Sequence, residues 1–437
     1  MGIFTRSGLK LGHHKRTSGM QALRVGDCDC KSVVLPMKQH IGAACEALVK
    51  PGERVLAGQL IGDTDARVAA PVHASISGLV KKIGTVRLAD GEDVRAVEIE
   101  SDGLMEHIEY LPPRVESLDD FIAAVRASGL VGLGGAGYPA HAKLRGSVGK
   151  VDTLLVNGAE CEPFVTADHR EMLDAAADVI DGIHQLCRWM EIGRAVIGIE
   201  NNKPDAIALL RGLCAGASTP ALSISVKAVP SRYPQGSNKQ LSQTLTGRVI
   251  PLGGRLSDVG LVMMNVVSTA FLGRYLRTGK PLISRTVTID GDAVPKPVNL
   301  RVPIGISLRE LLAFCGMAEA NPSKIILGGP MMGRVVPDLD TVIGKCDGAV
   351  LLLGRRAAKP KPETPCIRCG ACVSACPMRL RPLLLERACL ARETETLVRL
   401  NASACLECGC CAYICPAGRE LVQRIQRGKK LAKGAVK

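Results

Sequence analysis

Between residues 366 and 416 cysteine appears twice in one rhythm, as CIRCGACVSACP at 366–377 and CLECGCCAYICP at 405–416. Both runs read C-x2-C-x2-C-x3-C-P, the spacing that holds a pair of [4Fe–4S] clusters. Three thiolates so close in sequence can wrap one face of a cubane, and the fourth ligand must come from elsewhere. In this spacing it comes from the other run. Cys366, Cys369, Cys372 and Cys415 are therefore assigned to one cluster, and Cys405, Cys408, Cys411 and Cys376 to the other. Any fold for this chain has to lay the two runs together with their last cysteines exchanged. Structural zinc is the competing reading, because C-x2-C knuckles also bind zinc. It leaves the third cysteine and the closing Cys-Pro of each run without a purpose. Cys410 is an extra thiol in the second run and is not counted as a ligand.

Thiolate clusters belong in a reducing compartment, and the opening MGIFTRSGLKLGHHKRTSG has no apolar signal core. No stretch approaches the ~20 continuous apolar residues of a membrane span. A cytoplasmic protein is expected. With 437 residues, only 3% aromatic and with 47 glycines, the chain suits a few small β-rich and α/β domains joined by tight turns. The formal net charge of +14 raises nucleic acid as a partner. Yet the positive residues are dispersed, densest at Lys10–Arg16 and Arg424–Lys437, and aromatic side chains for stacking on bases are scarce. No nucleic-acid partner is expected. An anionic membrane surface, an acidic protein or a dinucleotide accounts for the charge more simply.

Residues 33–100 alternate short β-branched runs with glycine turns, which predicts a compact all-β module. Within it, VKPGERVLAGQLIG followed by AAPVHASISGLV resembles the biotinyl/lipoyl barrel-sandwich domain. Those carriers present a modified lysine between the two halves. Here the stretch is Asp63-Thr64-Asp65-Ala66-Arg67, so the scaffold is expected without the swinging arm. From Ser117 the period turns helical, with Leu118, Phe121, Ile122 and Val125 on one face as far as Ser128 and Gly129. The loop GLGGAGYP at 132–139 approximates G-x-G-x-x-G, with glycines at 132, 134, 135 and 137. It follows a helix rather than a strand and runs into Pro139, which argues against the standard dinucleotide fold. What survives is backbone N–H groups able to approach a phosphate or flavin. Thr153–Val156 predicts a buried parallel strand ending in NGAECEP at 157–163, and ligands of open α/β sheets gather at such carboxyl ends. Glu160 and Glu162 either serve that site or lie in a solvated loop. A helix over 170–190, a strand over 195–199, a helix over 204–213 and a strand over 222–229 continue the alternation. Tyr233–Lys239 forms another strand-end loop, and 264–269 opens a further helix. Residues 283–315 read as strand, turn, strand and helix of a small β-grasp-like unit, completed by 325–333 and 348–353. KPKPETP at 359–365 is an extended linker.

GLVGLGGAGYPAHAKL followed by VNGAECEPFVTADHREM resembles the flavin- and NADH-binding subunit of respiratory complex I. The order of modules from about residue 33 onward resembles the C subunit of the Rnf electron-transport complex. The resemblance implies a multidomain α/β and α+β chain. Its parts are an N-terminal basic segment (1–32), an unmodified barrel-sandwich hybrid (33–112) and a complex-I-type flavin domain (117–280). A β-grasp SLBB domain (283–356), a linker (357–365), a two-cluster ferredoxin-like domain (366–423) and a basic tail (424–437) follow. It also implies FMN against Gly134 and Gly135, with Gly132, Gly137 and Gly236 in the cofactor loops and contacts from Lys143, Asn157, Glu160 and Asn265. NADH would stack near Tyr138, beside Glu162.

The implied activity is exchange of hydride with NAD(H) at FMN and delivery of single electrons to two [4Fe–4S] clusters. The implied setting is the inner face of a bacterial membrane, with peripheral attachment through other Rnf membrane subunits, or service to a soluble electron carrier. The basic tail is expected to dock on a partner or an anionic membrane face. A cobalamin reductase of propanediol-utilising microcompartments shares the flavin and cluster modules and is the second reading. A non-catalytic zinc or nucleic-acid module is the third. Some positions depart from the pattern. Ser237 and Asn238 stand where complex I subunits carry an acidic pair and Rnf relatives one glutamate; Ser268 replaces a threonine; and SGLKLGHHKR lacks an intact GGIHP-like signature.

Overall fold

Along Ser32–Pro36 burial alternates as far as Leu35, with Val33 and Leu35 inward, the pattern of a strand with one covered face. It pairs antiparallel with Asp93–Ser101, which pairs with Gly78–Arg87 and then Arg54–Val55. A second sheet of Glu46–Ala47, Leu60–Asp63 and Val72–His73 completes the barrel-sandwich in this computed structural model, which describes residues 8–24, 30–89, 91–317 and 322–435. The turn after Leu60–Asp63, where carriers hold their lysine, is tied down. Arg126 donates to both carboxylate oxygens of Asp63 at 2.7 and 3.0 Å and to the Thr64 carbonyl at 2.6 Å. A bidentate guanidinium fixes both distance and orientation, so the hairpin serves as a docking edge for the next module.

That module opens with helix Leu118–Ala127, capped by the Ser117 hydroxyl accepting from the Asp120 amide, with Phe121, Ile122 and Val125 buried. Its centre is a parallel sheet in the order Ser223–Val229, Arg194–Glu200, Thr153–Gly158, Leu261–Asn265. The chain builds outward from Thr153–Gly158 on one side and then returns to add Leu261–Asn265 on the other. The carboxyl ends of these two strands therefore bound the topological switch point, where open α/β sheets leave a crevice. The helix expected over 170–190 is two, Ala167–Asp174 and Ala176–Trp189. Ala175, at φ −129° and ψ 32°, breaks the continuity. The break turns the first helix towards the crevice while the second packs along Val266–Thr278.

The β-grasp unit is a six-stranded sheet in which Ser284–Asp290, Val298–Pro303, Lys324–Leu327 and Ala349–Leu353 form the body. Its edge strand comes from the N-terminus, with Leu23 and Arg24 pairing in parallel with Leu300 and Arg301. The described part of the N-terminal segment is thus built into the fold; residues 1–7 and 25–29 lie outside the described residues. The first three modules share one continuous apolar core. At their meeting point the buried Lys345 amine donates to the carbonyls of Pro71 (2.6 Å) and Gly129 (2.8 Å), so that one side chain links all three.

Residues 359–365 are extended, as the prolines require, and lead to the cysteine-rich module. Short helices Ala371–Ala375 and Cys410–Ile414 belong to the two runs, and Pro382–Leu390 and Thr394–Arg399 lie between them. The basic tail is not a free tail. Residues Leu421–Ala435 form a helix that packs on Pro382–Leu390 and Thr394–Arg399, with Leu421, Ile425 and Ala432 buried; residues 436–437 lie outside the described residues. Spaced charges with apolar residues three to four apart make an amphipathic helix. Its Arg424, with Arg419, surrounds the fully buried carboxylate of Glu386.

Two outcomes are expected. Burial lowers the Lys345 pKa from 10.5 to about 8. The native amine loses its proton before the unfolded one, so this group makes stability rise with pH between about 8 and 10.5. Buried thiols with raised pKa, such as Cys346, act in the opposite direction over this range, so the lysine's share is read as a difference: denaturant midpoints of the parent minus those of Lys345→Met should increase from pH 8 to 10.5. Glu386→Ala leaves two arginines facing a buried gap and should destabilise the cysteine-rich module by about 3 kcal/mol, read from urea unfolding.

Candidate functional site

The two cysteine runs turn in the same way. Arg368 and Glu407 sit at φ 57° and 59°, and Gly370 and Gly409 at 75° and 80°, so each loop coils its thiols inward. Backbone N–H groups point back at sulfur: Arg368 N donates to Cys366 Sγ and Glu407 N to Cys405 Sγ, both at 3.4 Å, and Leu380 N to Cys376 Sγ at 3.3 Å. Such donors stabilise thiolate charge and tune a cluster's potential. One cavity is lined by Cys376, Cys405, Cys408, Cys410 and Cys411, the other by Cys366, Cys369, Cys372 and Cys415. Each cavity thus takes in the last cysteine of the other run, the exchange that the spacing predicts, and Cys410 adds a fifth thiol to the first. Among the described residues no three His, Cys, Asp or Glu side chains converge closely enough for a single metal ion. Two cavities with four or more thiols each suit cubane clusters better than zinc. Burial pushes Cys405 up to about 11 and Cys411 up to about 12, whereas the Cys410 thiol beside it lowers Cys408 to about 7.

The cages differ in surroundings. Cys408, Cys410 and Ala375 pack in one apolar cluster with Tyr233, Cys161, Met331, Leu9 and Leu11. The Cys410 thiol lies 3.8 Å from the Tyr233 carbonyl, and the Gln240 amide donates to Pro377 O at 3.2 Å. This inner cage therefore abuts the α/β module. In the outer cage Cys369 is exposed, as is its neighbour Ile367 at 68%.

At the switch point Asn157 and Asn265 stand opposite each other in register on adjacent parallel strands. Asn265 Oδ1 accepts from the amides of Val267 and Ser268 and caps helix Val266–Thr278; its Nδ2 donates to Asp168 Oδ2 at 2.6 Å. Asn157 Nδ2 holds the Gly236 carbonyl at 2.8 Å, which fastens the loop of Tyr233–Lys239. The glycine loop crosses above. A Cβ on Gly134 would come within 2.6 Å of Asn265 Nδ2, and one on Gly137, at φ 64°, within 2.7 Å of Cys346 Sγ. Gly134 and Gly135 are exposed towards the crevice, and Gly132 N anchors the loop to Tyr138 O. Tyr138 lies at the rim, 36% exposed. Lys143 donates to the Met263 carbonyl at 3.2 Å and among the described residues has no carboxylate partner; burial depresses its pKa. A side-chain-free loop beside two asparagine amides and an unneutralised ammonium fits a phosphorylated planar cofactor such as FMN.

Glu160 adopts φ 50° and accepts from the Asp168 amide at 2.6 Å and the His169 amide at 3.4 Å. Glu162 faces the other way. Its carboxylate accepts from Met331 N and Met332 N, both at 3.0 Å, and from Tyr233 Oη at 3.4 Å, in the wall next to the inner cage. Ser237, one of the departures from the acidic pattern, caps helix Asn238–Thr246 by accepting from Gln240 N, with Asn238 as the first helical residue. Ser268 accepts from Leu133 N at 3.0 Å and so holds the glycine loop.

Several residues of this site escaped sequence reasoning. Asp168, half-buried between Glu160 and Asn265, is pushed up to about 7 by burial and by Glu160. Lys203 donates to Ala159 O at 2.7 Å beside the buried Glu200. Lys15 reaches in from the N-terminus. Asp168 lay within VTADHREM, and only its position just after a strand-end loop could have marked it; the lysines carry no local pattern.

Known families match the modules in the same order. Residues 4–104 match an RnfC barrel sandwich hybrid domain, 125–273 the Nuo51 FMN-binding domain, 286–335 an SLBB domain and 365–419 a 4Fe-4S dicluster domain. The chain is 38% identical over 386 residues to the C subunit of the proton-translocating ferredoxin:NAD(+) oxidoreductase complex of Clostridium ljungdahlii, covering 87% of this chain and 83% of that one. It is 40% identical to the C subunits of the ion-translocating oxidoreductase complexes of Klebsiella pneumoniae and Pseudomonas aeruginosa, over 80% and 84% of this chain. It spans about half the length of those two, 47% and 48%. An NAD+-reducing [NiFe]-hydrogenase in the H2-reduced state shares the fold with a TM-score of 0.52 at 15% identity, over 72% of this chain and 63% of that one.

Ser268→Ala removes the acceptor of the buried Leu133 amide and should cost about 1–3 kcal/mol, whereas Ser268→Thr, which keeps the hydroxyl, should cost less. Denaturant unfolding of both variants measures the difference.

Proposed function

This chain belongs to the RnfC family, the C subunits of ion-translocating oxidoreductase complexes, and from that premise we propose that it exchanges hydride with NAD(H) at FMN and relays single electrons through two [4Fe–4S] clusters to another redox component. Flavin supplies the conversion between a two-electron hydride and single electrons, and the clusters carry electrons singly. The protein's share is placement. The loop 132–137 admits the cofactor without a side chain in the way, Asn157 and Asn265 offer amides from the two strand ends, and Lys143 offers a cation to an anionic group. Tyr138 at the rim offers an aromatic face to a nicotinamide. Glu160 holds the strand-end loop, and Glu162 holds the wall between crevice and inner cage. Leu9, Leu11, Tyr233 and Met331 keep water out of that wall.

One observation carries this reading: the cage of Cys376, Cys405, Cys408 and Cys411 abuts the loops of the crevice, while the other cage places Cys369 at the surface. Electrons would pass from crevice to inner cage to outer cage, or in reverse. Partners at the outer cage would be other components of the complex or a soluble carrier. Attachment is proposed to be peripheral, at the inner face of the membrane through those partners. No helix among the described residues is long and apolar enough to cross a bilayer. The three sequence relatives are all C subunits of such complexes, and none of them favours the corrinoid-reductase reading.

Anaerobic reconstitution tests the proposal. The chain should bind about eight iron atoms, and NADH should bleach both flavin and cluster absorbance; Cys369→Ser should lower the iron to about four and leave flavin bleaching intact. Zinc in the cages, or flavin that NADH leaves oxidised, would sink it.

A further inference from the structure

The N-terminal strap, residues 8–24, crosses three modules. Leu9 bridges to Tyr233 in both directions (Leu9 N to Tyr233 O at 2.8 Å, Tyr233 N to Leu9 O at 2.9 Å), and the Phe164 amide donates to His13 O at 2.9 Å. Arg16 pairs with the buried Asp290 and donates to Gly291 O at 2.7 Å. Between these anchors Lys15, its side chain only 9% exposed, drives its ammonium into the loop after strand Thr153–Gly158. There it donates to the carbonyls of Glu160 at 3.0 Å, Glu162 at 3.2 Å and Val165. Glu160 Oε2 stands 3.6 Å away and, among the described residues, is buried without a hydrogen-bond donor, so the Lys15 ammonium faces it as an ion-pair partner. The loop curls around this point because Glu160 and Phe164 take φ of 50° and 70°.

Three carbonyl dipoles and a carboxylate oxygen aimed at one buried point repel one another unless a cation sits there. The cation is on the strap, and the loop it closes also carries Asn157 and Glu160. We propose that Lys15 is a positioning residue of the flavin site: a tethered ammonium that fills the loop's carbonyl nest and so holds Glu160, with the Asp168 amide it accepts from, at the crevice. The inference rests on the flavin reading above.

The test uses the full chain with its clusters reconstituted and measures the FMN dissociation constant by fluorescence, with iron content and thermal midpoint alongside. Lys15→Ala should weaken FMN binding about tenfold or more at normal iron content. n-Propylammonium, which restores the deleted alkyl chain and charge, should recover most of the affinity, and n-propanol should not. Lys15→Gln, neutral but of similar length, should reproduce the defect if the alanine variant folds poorly. FMN affinity within about twofold of the parent, or a loss that propylammonium does not repair, overturns the proposal. A parent chain that binds no FMN at all would instead sink the flavin reading itself.

Discussion

A single turn, residues 157–166, holds the modules in their places because its backbone is left with acceptors that only other segments can satisfy. Its carbonyls are closed by Lys15 from the strap and by Lys203, the residue just before helix Pro204–Ala217. Its acids bind outward in two directions: Glu160 to the start of helix Ala167–Asp174, and Glu162 to the Met331 and Met332 amides of the β-grasp unit. Cys161 lies in the wall that Cys408 and Cys410 also line. A buried acceptor without a donor costs about as much as a lost hydrogen bond or more. The turn can therefore adopt this shape only when strap, sheet, β-grasp unit and inner cage are all in place.

That dependence gives the electron-transfer geometry its rigidity. The crevice lies at a switch point that topology alone creates, and the inner cage lies at an exchange of cysteines that spacing alone requires. Nothing in either device sets the distance between them. Tyr233 and Met331 do so, the first through its paired strap and its contact with Cys410, the second through Glu162. The crevice and the inner cage are thus held together by a wall of packed and hydrogen-bonded side chains.

Much of this was legible from residues alone. The cage membership followed from spacing, because a thiol's reach is short and C-x2-C-x2-C leaves few geometries. The strand Thr153–Gly158 and the capped helix after Ser117 followed from period and cap. What was not legible is the long-range polar pairing. Glu162 in a strand-end loop looks the same whether it faces a crevice or caps amides about 170 residues away. The helix expected over 170–190 broke at Ala175, a residue with high helix propensity, because tertiary packing required two directions there.

The charge pattern shows the same limit from another side. A net +14 with its densest runs at the two ends invites a search for an external anion. Yet several cations in the described part of each run are engaged within the fold. Lys15 and Arg16 close the turn and the β-grasp sheet, while Arg424 and Lys429 bind Glu386, Glu363 and Glu407 within the cysteine-rich module. Composition counts charges without their partners, and long cationic side chains are well suited to reach across module boundaries with their stems against apolar surface. In a chain assembled from several small modules, each needing to be held against the next, part of the basic excess is an internal fastening. Only the remainder is open to a partner, and it is the exposed Cys369 and Ile367 of the outer cage, rather than either terminus, that mark where an electron could leave.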